Sequence, residues 1–259
     1  MNYKTILLEH KKNIGIIKLN DVHRRNALSR ELITELIDAL QELDANRQVY
    51  VIVIMSNVSG VFCAGRDLSE RDSIDMIKQR EFSSGPANLW LLLQSIRKVV
   101  IAAVNGFALA GGCGLAVCCD LVIASEDATF GLPEIDVGLF PVTVGPAMIR
   151  NIQSLKKCFE LFVTGDRFNA MEAQRIGIVN KVVRTDELDA ATIELANKIA
   201  SKSPTILQMG KEFFYTVMDM DYKSGIMYAK ELISIMASTG DSIEGQKAFL
   251  EKRKPRWKN

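Results

Sequence analysis

Two short stretches of small residues and one carboxylate hold the residue types in this chain that could do chemistry. Cys63-Ala64-Gly65-Arg66-Asp67 and Ala110-Gly111-Gly112 each follow a strongly apolar run. Glycine has no Cβ, so a backbone N–H in such a turn can come close to a ligand atom. Near the start of a helix that N–H also has no intrahelical acceptor. One N–H from each stretch could bracket a carbonyl oxygen and stabilise the negative charge it gains in a reaction. Glu134 sits between Pro133 and Ile135 in the otherwise apolar passage LPEIDVGLF, where a carboxyl has to be partnered or functional. The structural alternatives are a plain turn at Gly111 and a local helix cap at Glu134.

The flanking pattern says how these residues would be positioned. Val99–Val104 reads as a short buried strand that Asn105-Gly106 ends, with a short helix expected near residues 115–119 and another strand at 121–124. Upstream, residues 5–9 and 14–19 read as a hairpin. Ser29 fits a helix N-cap before Leu32, Ile33, Leu36, Ile37, Leu40 and Leu43, and residues 51–55, VIVIM, fit a strand buried on both faces. Residues 56–70 read as a loop, continued by a polar, mobile segment to about Pro86, with helical spacing from 87 to 97. The alternation of strand and helix argues for parallel β/α units, so both glycine stretches should emerge at the C-terminal ends of strands near residues 55 and 104, the ligand-binding edge of such sheets. Beyond about residue 150 the pattern is mostly helical, with one short strand at 179–183.

Composition narrows the function classes. The 259 residues are 48% hydrophobic, enough for a real core, and 32 basic residues against 31 acidic ones leave a formal charge of +1. No global field steers the chain to nucleic acid or an anionic membrane, and the basic run at 252–258 reads as a solvated tail. No apolar run suits a signal peptide or a membrane span, so a cytoplasmic, reducing environment is expected, with Cys63, Cys113, Cys118, Cys119 and Cys158 as buried free thiols. His10 and His23 are too few for a zinc site, and no metal is expected.

The run IAAVNGFALAGGCGLAVCCDLVIASEDATFGLPEIDVGLFP, with FCAGRDL before it and LFVTGDRFNAMEAQRIGIVNKVV after it, strongly resembles the crotonase superfamily, the enoyl-CoA hydratase/isomerase family. The resemblance covers nearly the whole chain. It implies an α/β fold: a crotonase-like spiral of β/α turns over residues 1–200, with a helical C-terminal trimerisation region over 201–259. It also implies homotrimers or hexamers and an acyl-CoA substrate whose coenzyme A is part of the thioester, with no other cofactor.

Carried over residue by residue, the resemblance makes the backbone N–H groups of Arg66 and Gly111 the oxyanion hole and Glu134 the catalytic acid/base. The substrate-binding positions it implies are Arg24, Arg25, Ala27, Ala64, Asp67 and Leu68, with His23 beside them, and Gly114 and Val142 at the acyl end. Gly114 departs from the family pattern, because hydratases that use two glutamates carry the second one there. Double-bond migration with a single carboxylate and slower hydration both follow from that departure. Enolate chemistry on a dicarboxylic acyl-CoA gripped by Arg66, and a non-catalytic thioester-binding protein, are the other readings. Asp120 and Asp136 are expected to be structural, with Asp136 facing away from Glu134.

Overall fold

The structure, a computed structural model, describes residues 3–70 and 75–257. Strands β1 (Ile6–Lys11) and β2 (Ile14–Leu19) form the expected antiparallel hairpin, with Lys12 at φ 55° in its turn. Helix α1 (Arg30–Ala45) starts at Ser29, whose Oγ accepts from the Leu32 N–H at 3.1 Å. Its Leu32, Leu36, Leu40 and Leu43 are fully buried on one face, as the helical period requires.

Next come β3 (Val51–Ser56), β4 (Gly60–Cys63), α2 (Met76–Ser95), β5 (Val99–Val104), β6 (Gly106–Leu109), α3 (Gly111–Cys118), β7 (Leu121–Ser125) and β8 (Thr129–Gly131). This is a repeating unit of strand, strand and helix. The first strands of successive units, β3, β5 and β7, pair in parallel in a six-stranded sheet. The second strands, β4, β6 and β8, pair in parallel in a separate four-stranded sheet. The α/β spiral expected from the sequence is therefore present, with a second sheet that the sequence reading did not resolve.

After a 3₁₀ turn (Pro133–Val137), helices α4 (Gly145–Asn151) and α5 (Leu155–Thr164) lead to β9 (Arg167–Asn169), which closes the small sheet antiparallel to β8. Helix α6 (Ala170–Arg175) and strand β10 (Lys181–Val183) follow, and β10 completes the large sheet beside β7. Helices α7 (Leu188–Ala200), α8 (Pro204–Val217), α9 (Tyr222–Ala237) and α10 (Gly240–Leu250) end the chain.

The large sheet is buried on both faces. Val51, Val53, Ile101, Ala103 and Ile123 join Leu188 and Ala196 of α7 in one core, while Ile52, Ile54, Ala102, Val104 and Val122 pack into the larger core with α1, α2 and α3. That explains the continuous apolar runs, since alternate residues meet different cores.

Some stretches differ from expectation, among them β4 inside the expected loop at 56–70 and β10, which starts at Lys181 rather than 179. Helix α2 begins at Met76, capped by Asp75, and carries Pro86 inside it, so the expected mobile segment is helical from 76 on; its stretch at 71–74 lies outside the described residues. Helix α3 begins at Gly111 rather than near 115, because the glycines themselves form its first turn. The basic tail is partly tied down: Arg253 pairs with Glu244 at 2.6 Å, and the Trp257 indole N–H donates to the Ser201 carbonyl at 2.8 Å.

A buried polar joint fastens α8 to the sheet. Lys211, 8% exposed, donates to the Leu93 and Lys98 carbonyls and to Asp120 Oδ2 at 2.7 Å. The same carboxylate accepts from the Val100 N–H and the Tyr215 hydroxyl, each at 2.7 Å, which bears out the structural role expected for Asp120. A hydrogen bond to a charged group is worth ~2 kcal/mol, so Tyr215→Phe should lower unfolding free energy by about that amount. Urea titration of the variant against the parent measures it.

Candidate active site

Arg66, Gly111 and Glu134 come together because each follows a strand of the small sheet. Arg66 lies three residues beyond β4, Gly111 two beyond β6 and Glu134 three beyond β8. These strands are adjacent and parallel, in register at Cys63 with Ala108 and at Leu109 with Gly131, so their exits converge. The two loops thus leave β4 and β6, not the strands near residues 55 and 104. Runs of three and four residues carry too little periodicity to be seen in the sequence.

The loops are held by direct backbone contacts. Leu28 N–H donates to the Gly65 carbonyl at 2.7 Å, Ala64 N–H to the Arg25 carbonyl at 3.1 Å, and Ala110 N–H to the Gly131 carbonyl at 2.8 Å. Gly65 has φ 92°, and a Cβ there would lie 2.6 Å from the Leu109 carbonyl oxygen and 3.2 Å from the Gly111 nitrogen. A Cβ on Gly111 would in turn lie 3.7 Å from the Arg66 nitrogen. The two N–H groups are therefore neighbours across a glycine-lined contact.

Ala110 takes φ 50° and ψ −123° at the N-cap of α3, a region L-residues avoid at a cost of about 1–3 kcal/mol. Gly111 is the first helical residue, so its N–H has no intrahelical acceptor and carries the positive end of the helix dipole.

A cavity of about 440 Å³ opens beside this pair. Arg66, Ala110, Gly111 and Glu134 line it together with Leu28, Ala64, Leu68 and Trp90. Leu139, Phe140 and Val142 also border it, and the three are partly exposed. A larger concavity, about 890 Å³ between α2 and α8, contains none of the three candidate catalytic groups. Chemistry therefore favours the smaller one.

Burial raises the Glu134 carboxyl above its ordinary range, and its Oε2 is enclosed with no hydrogen-bond partner among the described residues. A carboxyl so placed holds its proton more tightly than an exposed one, which suits it to both accept and return a proton. The same desolvation has a stability cost. A folded-state pKa above the unfolded one means the fold binds that proton more tightly, so stability is greatest at low pH and falls as pH rises from the ordinary carboxyl value through the raised one. Glu134→Gln should accordingly raise the melting temperature at neutral pH. The difference should vanish at acid pH, which scanning calorimetry at two pH values checks.

The remaining sequence candidates divide by position. Ala64, Leu68 and Val142 line the cavity with the three central groups. Arg24, Arg25, Ala27 and Asp67 do not line it: Arg24 reaches Asp67 at 3.6 Å and Glu70 at 3.5 Å, and Arg25 holds the Ala64 N–H. His23 borders a separate surface hollow of about 450 Å³ with Lys4 and Glu31. Gly114 is buried behind the wall, where a Cβ would lie 2.8 Å from Val144 Cγ2 and 3.2 Å from Trp90 Cζ2.

Asp136, expected on the opposite side, lines the same cavity as Glu134, from the same 3₁₀ turn. Gln79, Ser83, Trp90 and Thr143 also line it. The first three belong to α2, whose half after Pro86, with Trp90, was expected to be helical and whose half before it, with Gln79 and Ser83, was not.

Residues 9–259 match the family described as enoyl-CoA hydratase/isomerase. A probable enoyl-CoA hydratase of Rhizobium meliloti (strain 1021) is 37% identical over 261 residues, covering all of both chains. The 2,3-dehydroadipyl-CoA hydratase of Escherichia coli (strain K12) is 34% identical over 255 residues, covering 98% of each. Among solved structures, the enoyl-CoA hydratase of Mycobacterium smegmatis superposes with a TM-score of 0.94 at 33% identity, covering 98% of this chain and 99% of that one.

Proposed function

Since the chain belongs to the enoyl-CoA hydratase/isomerase family, we propose that it adds water across the conjugated double bond of a 2-enoyl-CoA, with Glu134 as its one acid/base. The observation that carries this reading is the convergence of Arg66, Gly111 and Glu134 on one 440 Å³ cavity at the ends of three adjacent parallel strands. Attack of water on the β-carbon drives negative charge onto the thioester oxygen. The Arg66 and Gly111 N–H groups stabilise that enolate, and Glu134 takes the water proton and returns a proton to the α-carbon. Relatives named crotonyl-CoA hydratase and 2,3-dehydroadipyl-CoA hydratase support hydration as the reaction type. The reading requires no cofactor beyond the coenzyme A of the thioester.

Gly114 favours a second reading, double-bond migration, which needs one carboxylate to move a proton between carbons. The position of the Arg66 side chain on the cavity wall supports a dicarboxylic acyl-CoA as substrate, since guanidinium pairs well with carboxylate. Incubation with 2-enoyl-CoA and 3-enoyl-CoA, followed by absorbance of the conjugated thioester and by product mass, separates the reactions. A mass gain of one water supports hydration, a shifted band at constant mass supports migration, and no change with either substrate removes the enzymatic reading.

Self-association into trimers or hexamers belongs to the same proposal, supported by apolar side chains left exposed on α8–α10, among them Phe214, Ile226, Ile233 and Phe249. No described helix is long and apolar enough to cross a membrane. The five buried thiols support a cytoplasmic setting.

A further inference from the structure

We propose that Asn26 is a positioning residue for the reaction: its side-chain amide fixes the loop after β4 and so sets the direction of the Arg66 N–H. The inference rests on the reading of Arg66 and Gly111 as the oxyanion donors.

The direction of that N–H is set through its neighbours. The Gly65 carbonyl and the Arg66 N–H belong to one planar trans peptide and therefore point opposite ways. The Leu28 N–H donates to the Gly65 carbonyl at 2.7 Å, and the Leu28 carbonyl accepts from the Asp67 N–H at 3.4 Å, which makes a parallel bridge between Leu28 and Arg66. The Arg66 N–H is thus turned away from the Leu28 backbone. Whatever holds residues 25–28 in place holds that direction too.

Asn26, in the turn between β2 and α1, is fully buried. Its Nδ2 donates to Ser56 Oγ at 2.8 Å and to the Phe62 carbonyl at 3.0 Å, while its Oδ1 accepts from the Asp21 N–H at 2.9 Å. Both amide hydrogens are used, and the three partners lie at the end of β3, within β4 and at the start of the turn itself. The pairing of β4 with β6 slips between Val61 and Cys63, so the Phe62 carbonyl sits at a bulge, a device that re-aims a chain beside a site. The main chain adds to the joint. The Asn26 carbonyl accepts from the Cys63 thiol at 3.0 Å and the Arg25 carbonyl from the Ala64 N–H at 3.1 Å. Residues 25–28 therefore hold the chain from Phe62 to Asp67, on both sides of Arg66.

Backbone strain points the same way. Arg25 and Asn26 are consecutive left-handed residues, at φ 53° and 54°. Asparagine visits that region readily and arginine does not, so the pair persists only where surrounding contacts over-determine it.

The test separates position from stability. Asn26→Gly removes the amide and keeps access to the left-handed backbone, and Ser56→Ala removes one of its two acceptors. Two readouts are compared with the parent: kcat and KM for hydration of crotonyl-CoA, and the infrared carbonyl band of bound butyryl-CoA labelled with ¹³C at the thioester. Two aligned N–H donors lower that band, and a change in fold stability alone does not move it. Tyr215→Phe, which loosens the α8 joint and does not line the cavity, is the control for stability and should leave both readouts unchanged.

Asn26→Gly should lower kcat roughly 10- to 100-fold, with KM altered less than about threefold, and move the band back toward that of the free thioester. Ser56→Ala, which leaves the Phe62 bond, should act in the same direction by a smaller factor. A folded Asn26→Gly with the parent's band and kcat would overturn the proposal; if that variant does not fold, the same result in Ser56→Ala overturns it. A parent protein that binds butyryl-CoA without lowering the band would remove the oxyanion reading, and the proposal with it, whereas a lowered band without hydration leaves the band to decide the proposal alone.

Discussion

Glu134→Gln should abolish measurable turnover of an enoyl-CoA while leaving the thioester bound. The variant keeps the size and most of the polarity of the side chain but cannot accept or return a proton, and loss of a positioned acid/base lowers rate by about 10²–10⁴-fold. Because Oε2 of the parent is enclosed without a partner among the described residues, none of their carboxylates is in hydrogen-bond contact with it. Asp136 lines the cavity, yet it sits two residues further along the same 3₁₀ turn. Stopped-flow turnover and isothermal titration with an unreactive acyl-CoA check the two halves separately. Retained rate would place the chemistry elsewhere; lost binding would make Glu134 a contact for the ligand. The pH profile should carry the same signature, with the limb assigned to Glu134 displaced above the ordinary carboxyl range by burial and absent in the variant.

Gly65→Ala should lower kcat by ~10²–10³-fold, the size of effect expected when an oxyanion donor is displaced. At φ 92° an alanine is strained before packing is considered, and its methyl would lie 2.6 Å from the Leu109 carbonyl oxygen and 2.8 Å from Ala110 Cβ. Neither obstacle is the end of a flexible side chain, so the loops after β4 and β6 must separate. The Arg66 and Gly111 nitrogens, neighbours across that contact, would then no longer converge on one oxygen. Gly138, also at positive φ with nothing within 4 Å of its would-be Cβ, is the control: alanine there is strained but leaves the two donors in place. Comparison of the two variants by kcat and by circular dichroism distinguishes loss of convergence from loss of fold.

Much of this site was legible in the sequence because its chemistry depends on residue types with few alternatives. Gly65 and Gly111 mark places where backbone must approach backbone, and Glu134 stands out as a charge in an apolar passage. The hairpin, α1 and the strands at 51 and 99 were legible because each buries a face with a clear period. The small sheet was not, since β4, β6 and β8 have four, four and three residues, and their pairing is decided by the twist of the whole spiral. Helix α2 was obscured by Pro86, which a helix of twenty residues tolerates once Asp75 caps it and Leu89 and Leu93 are buried in the core. Trp90 is both core and cavity wall: it is 8% exposed and lines the site.

The most direct measurement of the central claim is isotopic. When a 2-enoyl-CoA is hydrated in D₂O, the parent protein should deliver one deuterium to the α-carbon of the 3-hydroxyacyl product, seen by mass spectrometry and assigned by NMR. Glu134→Gln should give neither product nor label. Labelled product formed by Glu134→Gln at the parent's rate would contradict the account, because the proton would then reach carbon without Glu134.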